Sequence, residues 1–136
     1  MNRFLLDTNV VSELRKVRPH GGVLAWLDAH ENEQLFLSSV TVGEIQAGIE
    51  RTRRQNPSKA RELEMWLGEL PAVFQFLLMD VECFREWGRL MDGKSDDLLV
   101  DAMIAATARV HRLVVATRNE RDFAQFDVRV VNPFKS

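Results

Sequence analysis

Phe4-Leu5-Leu6-Asp7-Thr8-Asn9-Val10-Val11-Ser12-Glu13-Leu14 sets the reading of the whole chain. Phe4-Leu5-Leu6 is apolar without alternation, which fits a short strand buried on both faces. The run stops at Asp7, and Asn9 to Arg15 takes on helical character. A buried strand that ends in an acid and turns into a helix is the opening unit of an α/β sheet.

Working outward, the same unit recurs. Val23, Leu24 and Leu27 give the next helix an apolar stripe. Leu35-Phe36-Leu37 is a second strand, followed by Ser38-Ser39 and a helix with Val42, Ile45 and Ile49 on one face. Asn56-Pro57-Ser58 breaks that helix, and Ser58 is placed to cap a new one. That helix carries Leu63, Trp66, Leu67 and Leu70 and stops at Pro71. Val73 to Met79 is a third strand ending at Asp80, and Val81, Phe84, Trp87 and Met91 repeat at helical spacing up to Gly93. Leu98 to Ala108 is a strongly apolar helix, Leu113 to Ala116 a fourth strand and Val128 to Val131 a fifth. The expected fold is α/β, one domain over 1–136, with a largely parallel sheet of about five strands flanked by helices. In such sheets ligands sit beyond the carboxyl ends of the strands.

Composition narrows the function. The 136 residues are 46% hydrophobic and 28% charged, with no repeats or low-complexity tracts. No run is long enough to span a bilayer, and the first residues lack the zones of a signal peptide, so a cytoplasmic location is expected. The lone Cys83 reads as a core thiol, and no Cys/His spacing suggests zinc. There is no Walker loop and no nucleophile elbow. His20, His30 and His111 read as surface residues, which argues against a His/His ribonuclease. The net charge of −2 speaks against nucleic-acid binding by bulk charge. Two basic stretches remain, Arg15 to His20 and Arg51 to Arg61, each either a solvated face or a phosphate-facing one.

Four acids stand at positions that matter. Asp7 follows the first strand and reads either as a helix N-cap or as a ligand. Glu44 closes Thr41-Val42-Gly43-Glu44, which spells a capping box, or it faces the sheet edge as an acid. Asp101 is the only charged residue between Leu98 and Ala108. A carboxylate in so apolar a helix needs a cation, donors or a proton, or an Arg partner. Asp122 follows the fourth strand, either as a loop acid paired with Arg118 or Arg121 or as a fourth member of the set. Thr117 and Asn119 at the same strand end are suited to orienting a carboxylate or a water, with Thr8 as a further support. Hard oxygen donors gathered in this way call for Mg²⁺ or Mn²⁺.

These residues resemble the PIN-domain family, in its VapC-type and FitB-like toxin branch. The resemblance runs from Phe4 to Phe134. Its marks are the opening stretch quoted above, Ser38 to Ile49, Asp101 to Ala108, and Val115-Ala116-Thr117-Arg118-Asn119-Glu120-Arg121-Asp122-Phe123. It implies a PIN fold in which Asp7 and Asp101 match the principal metal ligands, Glu44 the third catalytic acid and Asp122 a fourth, more variable one. Many relatives carry an acid where this chain has Asn119. It further implies cleavage of single-stranded or looped RNA, a homodimer, and inhibition by a small DNA-binding VapB-like antitoxin. Cleavage by water would leave 5′-phosphate and 3′-hydroxyl ends. Arg15, Arg118 and Arg121 are the expected RNA contacts, with Arg51, Arg53 and Arg54 expected further from the acids. Two other readings stay open. One is a catalytically inactive PIN-like binding module. The other is a receiver-type signalling domain, which would want two acids after the first strand and a Lys after the last.

Overall fold

The computed structural model of the chain describes residues 2–135. Five strands form one sheet: β1 (Phe4–Leu6), β2 (Leu35–Ser38), β3 (Gln75–Leu77), β4 (Val114–Ala116) and β5 (Val130–Val131). Their order across the sheet is β3-β2-β1-β4-β5, and every neighbouring pair is parallel. The helices are α1 (Thr8–Val11), α2 (Gly21–Asp28), α3 (Ser39–Arg53), α4 (Pro57–Glu69), α5 (Val81–Met91), α6 (Leu99–His111) and α7 (Glu120–Phe123). Short 3-10 turns join them, among them Ser12–Arg15 directly after α1. No helix among the described residues is long and apolar enough to cross a membrane.

The period-two geometry of a strand divides the core in two. Phe4, Leu6, Leu35, Leu37, Val114 and Ala116 point into one cluster, where Val10, Val23, Ile45, Ile49 and Leu63 cover them. Leu5, Phe36 and Val115 point the other way, onto Ala102, Ile104, Ala105, Ala108 and Phe123. Strands covered on both faces carry no polar alternation, which is why Phe4-Leu5-Leu6 is apolar throughout.

The connectivity fixes where chemistry can occur. From β1 the chain works outward through β2 and β3, then returns to place β4 on the other side of β1. The β1/β4 seam is therefore the point where the winding reverses and a crevice opens beyond the carboxyl ends. Asp7 and Thr117 are the first residues past those two strands. The Asp7 amide donates to the Ala116 carbonyl at 2.9 Å, and the Thr117 amide to the Val131 carbonyl at 2.9 Å.

Several local expectations shift. Asn56, not Ser58, caps α4: its side chain accepts from the Lys59 amide at 3.1 Å, with Pro57 at the first helical position, where its missing N–H costs nothing. β3 and β5 are shorter than the apolar runs that announced them. The Val81, Phe84, Trp87 and Met91 repeat does not face the core throughout, since Val81 is 75% and Phe84 46% exposed. His20 and His30 are not plain surface residues. The His20 ring caps α2 by accepting from the Val23 amide and meets the Phe134 ring edge-on. His30 packs between Phe4 and Trp26. Cys83 is fully buried, as a core thiol should be.

Candidate active site

Asp7 is only 4% exposed and is held from three sides. One carboxylate oxygen accepts from the Thr8 amide at 2.8 Å; the other accepts from the Thr117 hydroxyl at 2.7 Å and the Asn9 side-chain amide at 3.2 Å. It does cap α1. A carboxylate has more acceptor sites than one cap contact uses, so capping does not exclude a second role. Burial pushes its pKa up, the three donors pull it back, and the Glu44 charge adds to the rise.

Glu44 is not a capping-box residue. Ser38 caps α3, its hydroxyl accepting from the Val40 amide at 3.1 Å, so the helix starts before Thr41 and Thr41 lies buried inside it. Glu44 sits in the second turn, where the Thr8 hydroxyl donates to it at 2.6 Å. The Thr41 hydroxyl lies 3.2 Å from that of Thr8. Thr8 has one hydroxyl proton, already given to Glu44, so Thr41 is the donor in that contact. The relay Thr41–Thr8–Glu44 ties α3 to the end of β1.

Asp101 occupies the first turn of α6 and is partly rather than fully buried. The apolar sequence around it suggested deeper burial, but the N-terminal turn opens onto the crevice. It has no Arg partner among the described ion pairs, and neither Arg118 nor Arg121 pairs with Asp122. Its surroundings are carboxylates. Burial first, then the charges of Asp7, Asp122 and Glu44, and finally contact with the Asp122 carboxyl push its pKa up to about 6. All four sequence-selected acids thus meet within one electrostatic neighbourhood.

Thr117 serves this set through a chain of donors. The Asn119 amide donates to the Thr117 hydroxyl at 2.9 Å, and that hydroxyl donates to Asp7. Asn119 therefore contributes through its backbone; its side chain makes no cap. Asn9, not singled out in the sequence, bridges the two strand ends, since its side-chain oxygen also accepts from the Arg118 amide at 3.2 Å.

The donor set suits a hard divalent cation in kind: four carboxylates, no thiol and no imidazole. Mutual repulsion among them is a field that a cation would relieve. Among the described residues, however, no three His, Cys, Asp or Glu side chains already stand in a metal-holding arrangement. The fit is one of chemistry and charge rather than of finished geometry.

Residues 4–129 match the family model of the PIN domain. The chain belongs to the PIN-domain family. It is 36% identical to the VapC ribonuclease Y4jK of Sinorhizobium fredii, over 96% of this chain and 97% of that protein. It is 34% identical to the toxin FitB of Neisseria gonorrhoeae, over 96% and 97%. The crystal structure of FitAcB from Neisseria gonorrhoeae superposes with a TM-score of 0.85 at 34% identity, covering 98% of this chain and 99% of that one.

Around the acids of this PIN domain the cations fall into two groups. Arg118 and Arg121 line an open hollow with Asp122, and the Arg118 guanidinium lies over the Phe134 ring, 4.0 Å from its centre. Arg15 lines a different cleft, together with Thr8 and Glu44, and Arg51 and Lys59 share it. The expectation that the Arg51 group stands apart from the acids therefore fails for Arg51 itself, because α3 carries Glu44 and Arg51 along one wall. Glu13 was also passed over. It is buried and accepts from the His20 amide at 2.9 Å and from the Lys16 ammonium. Burial would raise its pKa, but these donors hold it below the ordinary value. It pins the basic loop Arg15 to His20 beside the site. A larger open groove at the far end of α6, lined by Glu86, Arg89 and Arg109, has these charges paired with one another and carries no such acid cluster.

Proposed function

We propose that this PIN-domain protein is a magnesium-dependent endoribonuclease acting as the toxin of a VapBC-type toxin–antitoxin pair. The observation that carries the reading is Asp101: a carboxyl with no ion-pair partner among the described residues, pushed up to about 6 with the charges of three other acids among the causes. Such mutual repulsion has no structural use and suits a divalent ion. Perturbed acids in a crevice mark functional sites.

Asp7 and Asp101 would hold the cation, Mg²⁺ or Mn²⁺, with Glu44 and Asp122 completing its surroundings. Bound there, the cation would supply Lewis acidity to the scissile phosphate and a more acidic attacking water. Glu44, to which the Thr8 hydroxyl donates, would accept a proton from the attacking water. Asp7 is fixed in orientation by Thr117 and Asn9. Attack by water rather than by the ribose 2′-hydroxyl gives 5′-phosphate and 3′-hydroxyl ends.

The toxin role draws support from the names of the relatives, a ribonuclease and a toxin, matched over nearly the full chain. With it come a small DNA-binding VapB-like antitoxin as partner, a homodimer that assembles further with that antitoxin, and a cytoplasmic site of action. A receiver-like domain is not favoured: a single Asp follows β1, and Lys135 pairs with Glu120 rather than with the acids. An inactive binding module would leave the four-acid neighbourhood unexplained. Incubating the protein with RNA in Mg²⁺, Mn²⁺ or EDTA tests the reading. Metal-dependent cutting that Asp7→Asn abolishes is expected, and wild-type protein that leaves RNA intact in both metals would sink it.

A further inference from the structure

Between the 3-10 turn Ser12–Arg15, α3 and the start of α4 lies a cleft of about 290 Å³. Thr8 and Glu44 belong to it, so it opens directly from the acid crevice. Ile45, Ile49 and Leu63 form an apolar floor, and Arg15, Arg51 and Lys59 supply the charge. Arg51 lies seven residues past Glu44 on α3, about 10 Å along the helix axis. Seven residues are close to two full turns, so Arg51 and Glu44 lie near one face of the helix, and both line the cleft.

The pairing pattern separates these cations from the rest of the basic stretch. Arg53 is tied to both Glu50 and Glu64. Arg15 and Arg51 have no ion pair among the described residues, and Lys59 has only a 3.4 Å contact with the exposed Glu62. Unneutralised guanidinium groups facing a cleft that abuts a carboxylate cluster are electrostatically available to an anion. An apolar floor beneath them suits a ribose or base edge, not a free ion.

We infer that this cleft holds the RNA strand on one side of the scissile phosphate, with Arg51 and Lys59 as positioning residues that grip backbone phosphates and Arg15 beside them. The assignment rests on the ribonuclease reading above. It makes the strand lie along α3, and it gives the chain a cationic grip that its net charge conceals.

The test compares wild type, Arg51→Ala, Lys59→Ala, the double variant, Arg51→Lys and the control Arg53→Ala. Binding of a fluorescently labelled mixed-sequence single-stranded RNA and of an RNA hairpin is measured across a salt series with Ca²⁺ replacing Mg²⁺, alongside cleavage in Mg²⁺ and a thermal melt. Each lost phosphate contact should flatten the log–log salt dependence by roughly 0.7 and weaken binding on the order of tenfold for every sequence. Arg51→Lys should retain most of the slope, and Arg53→Ala all of it. Unchanged slopes in the Arg51 and Lys59 variants, with wild type still cutting RNA, would overturn the inference alone and leave the cleft to an acidic protein segment. Wild type that neither binds nor cuts RNA would overturn the ribonuclease reading and this one with it.

Discussion

The Thr117 hydroxyl donates to the Asp7 carboxylate at 2.7 Å, across 110 residues of chain. The two residues end adjacent parallel strands, so the contact joins both lips of the crevice. It is a buried, charge-assisted bond, and the Asn119 amide directs it by donating to the same hydroxyl.

Thr117→Val should therefore fold but work poorly. The isosteric change removes the donor and leaves a buried carboxylate oxygen with only Asn9. Losing a hydrogen bond to a charged group costs about 1.5–3 kcal/mol. Cleavage should drop by roughly 10–100-fold, the usual scale for a residue that orients a metal ligand. Since the bond holds the Asp7 pKa down, the acid limb of the pH–rate profile should move to higher pH. A variant with wild-type rates and an unmoved acid limb would show that the contact is structural only.

Asp101→Asn should abolish cutting yet stabilise the metal-free fold at neutral pH. The folded-state pKa of about 6 lies above the ordinary 3.8. The folded protein thus takes up this proton more readily than the unfolded chain, so the group favours folding at low pH, and that contribution is lost as the pH climbs through about 6. In EDTA the variant should melt above wild type at pH values well past 6, and the gap should close as the pH falls toward 3.8. Outright unfolding of Asp101→Asn would make Asp101 a structural acid. Asp7→Asn should likewise be inactive and folded.

Glu44→Gln separates a reactive acid from a helix-start acid. Ser38 is the cap, so Gln has no capping duty to inherit, and it can still accept from Thr8. A loss on the order of a hundredfold in cleavage is expected for a positioned base. Turnover by the Gln variant within a few-fold of wild type would remove Glu44 from the chemistry.

Arg118 and Arg121 line a hollow with Asp122, separate from the cleft that holds Arg51. Changing Arg121 to Ala should flatten the salt dependence of RNA binding by roughly 0.7, with little effect on metal affinity. Arg118→Ala should do the same. Phe134→Leu, which removes the ring beneath the guanidinium, should reproduce part of that loss. Salt titrations of the three variants decide the point, and three unchanged slopes would take the RNA away from this hollow.

The sequence by itself determined the order of elements and the identity of the acids. Apolar runs at Phe4, Leu35 and Leu113, separated by helical periodicity, are local signals, because strand burial and helix amphipathicity are written in spacings of two to four residues. The same locality limited it. Thr41-Val42-Gly43-Glu44 matches a capping box letter for letter, yet Ser38, Ser39 and Thr41 can all cap, and only the end of β2 decides that Ser38 does. The apolar setting of Asp101 announced a special carboxylate but not its half-open position, which comes from where the first turn of α6 meets the sheet edge. The tertiary structure alone decided which groups meet: Thr117 with Asp7, Thr8 with Glu44, Asp122 with Asp101, and Arg51 with the acid side of α3 rather than away from it. These relations depend on two helical layers packing over opposite faces of one twisted sheet, with charges and hydroxyls reaching one another over its carboxyl edge. No short-range spacing encodes that approach, because the contacts join segments up to 110 residues apart.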